Sequence, residues 1–253
     1  MSSEVLVEAA GGILEVTINR PEARNAMTKA AAEAIAAAMD RLDAEPELRC
    51  AILTGAGGTF CSGMDLKGFL EGELPVAGDR GFGGLTAWTP NKPVIAAVDG
   101  WALAGGMELA IACDMIVASR GAKFGIPEVK RGLAAGGGGM VQLPRLLPRP
   151  LAMELALTGD PITAERAFKL GLVNELTDGP AIEGARRLAA RVAENGPLAV
   201  IASKGVVRDS WLWADEEITP KQNPYIEQVF SSEDAREGAL AFAHKRKPEW
   251  KGR

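Results

Sequence analysis

The stretch Val94-Ile95-Ala96-Ala97-Val98-Asp99-Gly100-Trp101-Ala102-Leu103-Ala104-Gly105-Gly106-Met107-Glu108-Leu109-Ala110-Ile111-Ala112-Cys113-Asp114 reads as a buried strand, a turn and a helix. The strand ends near Asp99, and the glycine pair marks the start of a helix that carries Glu108 in its first turn. Glycine lets backbone approach a ligand closely, and a helix N-terminus favours negative charge. The position is explained as well by a carboxylate balancing the helix dipole as by a catalytic acid.

Upstream, short β-branched runs such as Leu14 to Ile18 and Ala51 to Thr54 alternate with helical patterns, of which Thr28 to Leu42 is the clearest. Strands separated by helices predict a mostly parallel, layered α/β core. Downstream of residue 140 the signals are mainly helical: Met140 to Leu146, Ala152 to Leu157, Thr163 to Lys169, Ile182 to Glu194, Leu198 to Val207 and Ser232 to Lys245. Ser231-Ser232-Glu233-Asp234 supplies a capped start for the last. The segment Glu71 to Gly84 is the best candidate for a mobile loop.

Composition excludes several classes. With 253 residues and a net charge of −5, the chain suits one large soluble domain and not a duplex nucleic-acid binder. Val94 to Ser119 is the most apolar stretch but is broken by Asp99, Glu108 and Asp114, and the start lacks a basic-then-apolar signal pattern. A cytoplasmic, membrane-free protein is predicted. Cys50, Cys61 and Cys113 lack CxxC spacing and read as buried thiols, while the single histidine, His244, argues against a Ser-His-Asp triad or a histidine metal site. No metal is expected.

Two further segments carry chemistry. Thr54 to Lys67 leaves a strand, passes Gly55, Gly57, Gly58 and Gly63, and enters a short helix-like run, leaving N–H groups near Met64 to point into a cleft. A flexible strand-to-helix connection would look the same. In Phe124-Gly125-Ile126-Pro127-Glu128, Pro127 fixes the approach to Glu128, although Lys130 or Arg131 could hold that carboxylate on the surface. The run Gly136 to Gly139 lacks the Gly-Lys-Ser/Thr ending of a phosphate loop.

The order of these segments, with Asn19-Arg20-Pro21-Glu22-Ala23-Arg24-Asn25-Ala26 before them and Leu157-Thr158-Gly159-Asp160, Gly171-Leu172-Val173 and the ending Glu237-Gly238 to Pro248 after them, resembles the crotonase (enoyl-CoA hydratase/isomerase) superfamily over nearly the whole chain. The resemblance implies an α/β spiral of ββα units over residues 1–195, holding an acyl-CoA site, and a helical C-terminal region over residues 196–253 that packs subunits into trimers or hexamers. It implies an oxyanion hole built from the backbone N–H groups of Met64 and Gly105, and a Glu108 and Glu128 pair as in enoyl-CoA hydratases. Ala23, Arg24, Asp65, Leu66, Lys67, Gly136 and Lys245 are the expected substrate or coenzyme contacts, with coenzyme A part of the substrate and no separate cofactor. Lys245-Arg246-Lys247 is equally explained as a solvated helix end.

The activity so implied is syn addition of water to a trans-2-enoyl-CoA, giving a 3-hydroxyacyl-CoA. A Δ3,Δ2-enoyl-CoA isomerase would need chiefly Glu128, and a non-catalytic acyl-CoA-binding scaffold would need neither glutamate. Departures from the family pattern are Met64 in place of a small residue, no proline before Gly136, and Ile226 where an aromatic contact is common.

Overall fold

The computed structural model describes residues 3–253. Strands β1 (Val5–Ala10) and β2 (Ile13–Ile18) form an antiparallel hairpin, and α1 (Lys29–Ala44) follows, capped by Thr28, whose Oγ1 accepts from Ala31 N at 3.1 Å. Then come β3 (Cys50–Gly55), the short α2 (Leu66–Leu70), β4 (Val94–Val98), β5 (Trp101–Leu103) and α3 (Gly105–Ala112). Next are β6 (Met115–Ser119), β7 (Lys123–Gly125), α4 (Gly139–Leu146), α5 (Arg149–Thr158), β8 (Ile162–Thr163), α6 (Ala164–Lys169) and β9 (Glu175–Thr177). Four helices close the chain: α7 (Ala181–Ala193), α8 (Pro197–Asp209), α9 (Ile218–Phe230) and α10 (Glu233–Ala243).

Strand order in the larger sheet is β1-β2-β3-β4-β6-β9, parallel beyond the hairpin, and the smaller sheet runs β5-β7-β8. Successive strands therefore climb between two sheets: β4 and β6 lie in the large one, β5 and β7 in the small one. A spiral of ββα turns results.

Residue size explains how the layers close. The period of two along β3 and β4 sends Ile52, Ile95 and Ala97 to one face and Ala51, Leu53, Ala96 and Val98 to the other. On the first face α7 packs through Ala181, Ala185 and Ala189. Gly184 permits still closer approach, since a Cβ there would lie 2.6 Å from Thr177 Cγ2 and 2.9 Å from Val117 Cγ1. The second face meets the main core, where Ile35, Met39 and Leu42 of α1 are fully buried, each worth roughly 1.5–3 kcal/mol of transfer free energy.

Helix α9 was not legible in the sequence, because Pro220 and Pro224 and its polar run interrupt the pattern, yet Pro224 sits inside it. The expected mobile loop over residues 71–84 is tied down in its second half, where Gly83 N donates to Pro75 O at 2.8 Å and Ala87 N to Arg80 O at 2.9 Å. Among the described residues no helix is long and apolar enough to cross a membrane, and no cluster of metal-ligating side chains occurs.

Candidate active site

Two chain segments zip together at the start of α3. Cys61 and Ala102 form a parallel bridge, with Cys61 N donating to Trp101 O and Leu103 N to Cys61 O, both at 3.0 Å. A Cβ on Gly106 would stand 2.1 Å from Cys61 O, so only glycine allows this approach. On its other side the same segment is bound to the N-terminal motif: Met27 N donates to Gly63 O at 2.7 Å, Asp65 N to Met27 O at 3.0 Å, and Ser62 N to Arg24 O at 3.1 Å.

The peptide between these anchors leaves the N–H of Met64 without a backbone partner in the loop and cap bonds of the described residues. Gly105 is the first residue of α3, and its N–H has no acceptor within the helix. Ala104 just before it is held at φ 53 and ψ −130, a strained conformation for a residue with a Cβ. Its N–H donates to Gly125 O at 2.9 Å, which ties the turn to β7 and to the segment bearing Glu128. A Cβ on Gly63 would lie 3.5 Å from Gly105 N, so the two segments are in contact at the point where both donors are free.

Glu108 follows in the first turn of α3 and is 3 % exposed. Its Oε1 accepts from Gly139 N, the first residue of α4, at 2.8 Å. Cβ atoms on Gly137 and Gly139 would fall 2.6 Å from Oε2 and 3.0 Å from Cγ of Glu108. The glycine run that resembles a phosphate loop therefore cradles an anion of this chain itself. Burial pushes the Glu108 carboxyl above its usual range, opposed by the N–H groups of Gly139 and Gly137. Gly136 lies just outside the cradle, with nothing nearer to a Cβ there than Ala134 O at 4.0 Å.

Glu128 lies in a 3-10 turn, Pro127–Arg131, and is half-buried with its Oε2 fully enclosed and without a hydrogen-bond partner. Of the two cations that could have held it on the surface, Lys130 pairs with Asp160 instead. Gly159, left-handed at φ 65, lets α5 end close against Pro127, whose Cα would be 3.1 Å from a Cβ there. Burial raises the Glu128 carboxyl; the charge of Glu108 raises it further, while its own N–H and Arg131 pull the other way. The two carboxylates thus stand on segments joined through the Ala104 turn that presents the Gly105 donor, an arrangement suited to moving protons on either side of a polarised carbonyl.

A family model described as Enoyl-CoA hydratase/isomerase matches residues 8–253. The chain belongs to this family. It is 52 % identical to an enoyl-CoA hydratase from Mycobacterium tuberculosis H37Rv, whose crystal structure superposes at a TM-score of 0.97 with both chains fully covered. A carnitinyl-CoA dehydratase from Proteus mirabilis (strain HI4320) is 41 % identical over 262 residues, with both sequences fully covered. The crystal structure of a carnitinyl-CoA hydratase from Mycobacterium avium matches at 43 % identity and a TM-score of 0.80, again over all of both chains. The two-sheet spiral is the crotonase fold.

The remaining expected contacts distribute unevenly. Ala23 closes a 3-10 turn and Arg24 is left-handed at φ 53, side by side with the Met64 segment through the Ser62 to Arg24 bond. Asp65 is occupied structurally: its Oδ1 caps α2 by accepting from Lys67 N at 3.0 Å, and Oδ2 pairs with Arg20 at 2.9 Å. Burial opposes its ionisation, but Arg20 and the Lys67 N–H outweigh burial and hold the carboxyl below the usual range. Leu66 and Lys67 face outward on α2. Lys245 lies just past α10, which is bonded to the C-terminal tail through Asp234 and the Lys251 and Gly252 N–H groups, and no ion pair of Lys245 occurs among the described residues.

A cavity of about 1050 Å³ reaches Glu108 and is lined also by Gly137, Gly138 and Gln142 and by Ser203 and Lys204 of α8. None of Met64, Gly105 or Glu128 lines it. Two features of the site are not legible in the sequence: the strain at Ala104 and the cradle at Gly137 and Gly139. The glycine run is the one available signal for the second, and nothing local announces the first.

Proposed function

We propose that this protein is a hydro-lyase acting on acyl-CoA thioesters, adding water syn to a trans-2-enoyl-CoA and running the reverse dehydration. The thioester oxygen lies between the N–H groups of Met64 and Gly105, where developing enolate charge is stabilised; one such donor is worth roughly 10²–10³ in rate. Glu108, fixed by Gly139 N, holds and deprotonates the water that attacks C3. Glu128 delivers a proton to C2 as the enolate collapses, and in dehydration the two roles reverse.

The observation that carries this reading is the contrast between the two carboxylates. One Glu108 oxygen is anchored and the other faces the cradle, whereas Glu128 has a buried oxygen with no partner. A buried group with no protein partner and a raised pKa is suited to exchanging a proton with substrate. An isomerase would need only one such group, and the elaborate anchoring of Glu108 favours water addition over double-bond migration. The crotonase membership and hydratase and dehydratase relatives support the same reaction class.

Coenzyme A is carried in as part of the substrate along Ala23, Arg24, Leu66 and Lys67. Exposed apolar residues on the C-terminal helices, Phe230 and Phe242 among them, support assembly into a homotrimer or hexamer. The enzyme works in the cytoplasm, with Lys245 meeting a phosphate of a substrate bound to its own or a neighbouring subunit. One assay tests the reaction: loss of enoyl absorbance from crotonyl-CoA, longer trans-2-enoyl-CoAs and crotonobetainyl-CoA, with products identified by mass. Binding of these thioesters without water addition to any of them would overturn the hydro-lyase reading.

A further inference from the structure

Phe82 takes no part in that chemistry, yet its side chain runs alongside it. A Cβ on Gly105 would stand 2.2 Å from Phe82 Cζ, 2.4 Å from Cε1 and 2.7 Å from Cε2. At its other end, the Cβ of Phe82 would be 3.3 Å from a Cβ on Gly137, the residue that cradles Glu108. The side chain therefore spans from the backbone of the second oxyanion donor to the wall of the first carboxylate.

Its backbone has little freedom to withdraw. Gly81, Gly83 and Gly84 flank it at φ 79, 58 and 71. A Cβ on Gly84 would strike Ala32 O of α1 at 2.3 Å, and one on Gly83 would strike Leu109 Cδ2 of α3 at 2.6 Å. Phe82 also bridges to Val76. Next to it the Arg80 guanidinium sits 3.7 Å over the Trp88 ring and pairs with Asp40, and Leu85 is 1 % exposed.

We propose that Phe82 sets the width of the acyl pocket and selects unbranched enoyl chains; the inference rests on the acyl-CoA reading of the site. With the thioester oxygen on Gly105 N–H and the attacking water on Glu108, carbons C1 to C3 must lie between those two points. The Phe82 side chain spans the same two points. A methyl branch at C3 or C4 turned to this side meets the ring, and the ring, having no polar atom, acts by excluding volume. Gly105 also acquires a steric role, because a Cβ there would collide with this wall, and Gly137 leaves Phe82 Cβ its room.

The test is the ratio of kcat/KM for 3-methylcrotonyl-CoA to that for crotonyl-CoA, measured with wild type, Phe82→Ala and Phe82→Leu. One misplaced methyl group is typically worth 10–200-fold in discrimination. Phe82→Ala should raise the ratio by at least about tenfold, with Phe82→Leu in between. A parallel readout is the ratio of dissociation constants for isovaleryl-CoA and butyryl-CoA, which needs no turnover and which Phe82→Leu keeps measurable if the alanine variant does not fold. A shift in the binding ratio without hydration by any variant would sink the hydro-lyase reading and keep the wall. Binding and turnover ratios unchanged within twofold would sink the wall and keep the reading. Selective loss by Phe82→Ala of turnover on a trimethylammonium-bearing acyl group would also overturn the proposal, since the ring would then attract and not exclude.

Discussion

Gly137→Ala is the sharpest probe of how this site holds its carboxylate. The new Cβ would stand 2.6 Å from Glu108 Oε2, where ordinary contact begins at 3.4 Å, so the carboxylate must give way by roughly 0.8 Å. Gly137 has no positive φ, the severe clash falls on the end of a flexible side chain, and the 3.3 Å approach to Phe82 Cβ needs a shift of only a few tenths of an ångström, so the fold should tolerate the change. Displacement of a catalytic group by about 1 Å can cost about 10²-fold in rate. The expected result is a fall of about 10² in kcat for crotonyl-CoA hydration, little change in KM, and a melting temperature within a few degrees of wild type. Stopped-flow or steady-state hydration assays decide the matter. A Gly137→Ala enzyme within threefold of wild-type kcat would refute the cradle.

Glu128→Gln should lower hydration by about 10²–10⁴ while leaving acyl-CoA affinity near wild type, as measured by kinetics and calorimetric titration. The same variant tests a linkage argument: a carboxyl raised above its ordinary value of 4.5 adds stability while protonated and loses that contribution as pH rises through the folded value. Glu128→Gln should therefore melt higher than wild type at neutral pH, with the difference vanishing below the ordinary value; an equal or lower melting temperature at neutral pH contradicts it. Asn25 is fully buried, accepts from Arg20 N at 2.9 Å and donates to Ala56 O and Thr59 O at 2.8 and 2.5 Å, so Asn25→Ala should cost about 3 kcal/mol in urea unfolding. Burial pushes the thiols of Cys50 and Cys61 up to about 12 and raises Cys113 as well, so a disulfide reagent should label none of the three in the native protein and all three after denaturation.

Legibility in the sequence followed the range of the interactions. Strands β3 and β4 were readable as short apolar runs that are buried throughout, and helices α1, α7 and α10 from their apolar repeat, with Thr28 and Ser232 capping where capping residues stand. Helix α9 was hidden because its prolines and polar run carry no such repeat. Glu108 was placed in the first turn of α3 from the glycine pair alone, but the same placement fitted a helix-dipole carboxylate. Its contact with Gly139, 31 residues away, removes that ambiguity, and no local pattern encodes it.

Local sequence is enough for most of the elements, for the turns where only glycine can pass, and for the two carboxylates available for proton transfer. It is enough because backbone sterics and hydrophobic periodicity act within a few residues. Which carboxylate is anchored and which is left open, that the glycine run holds Glu108 instead of a phosphate, and that Phe82 lies against Gly105 emerge only once the chain is folded. Those outcomes depend on segments far apart in the chain meeting at one point, where burial and the absence of a Cβ set what each group can do.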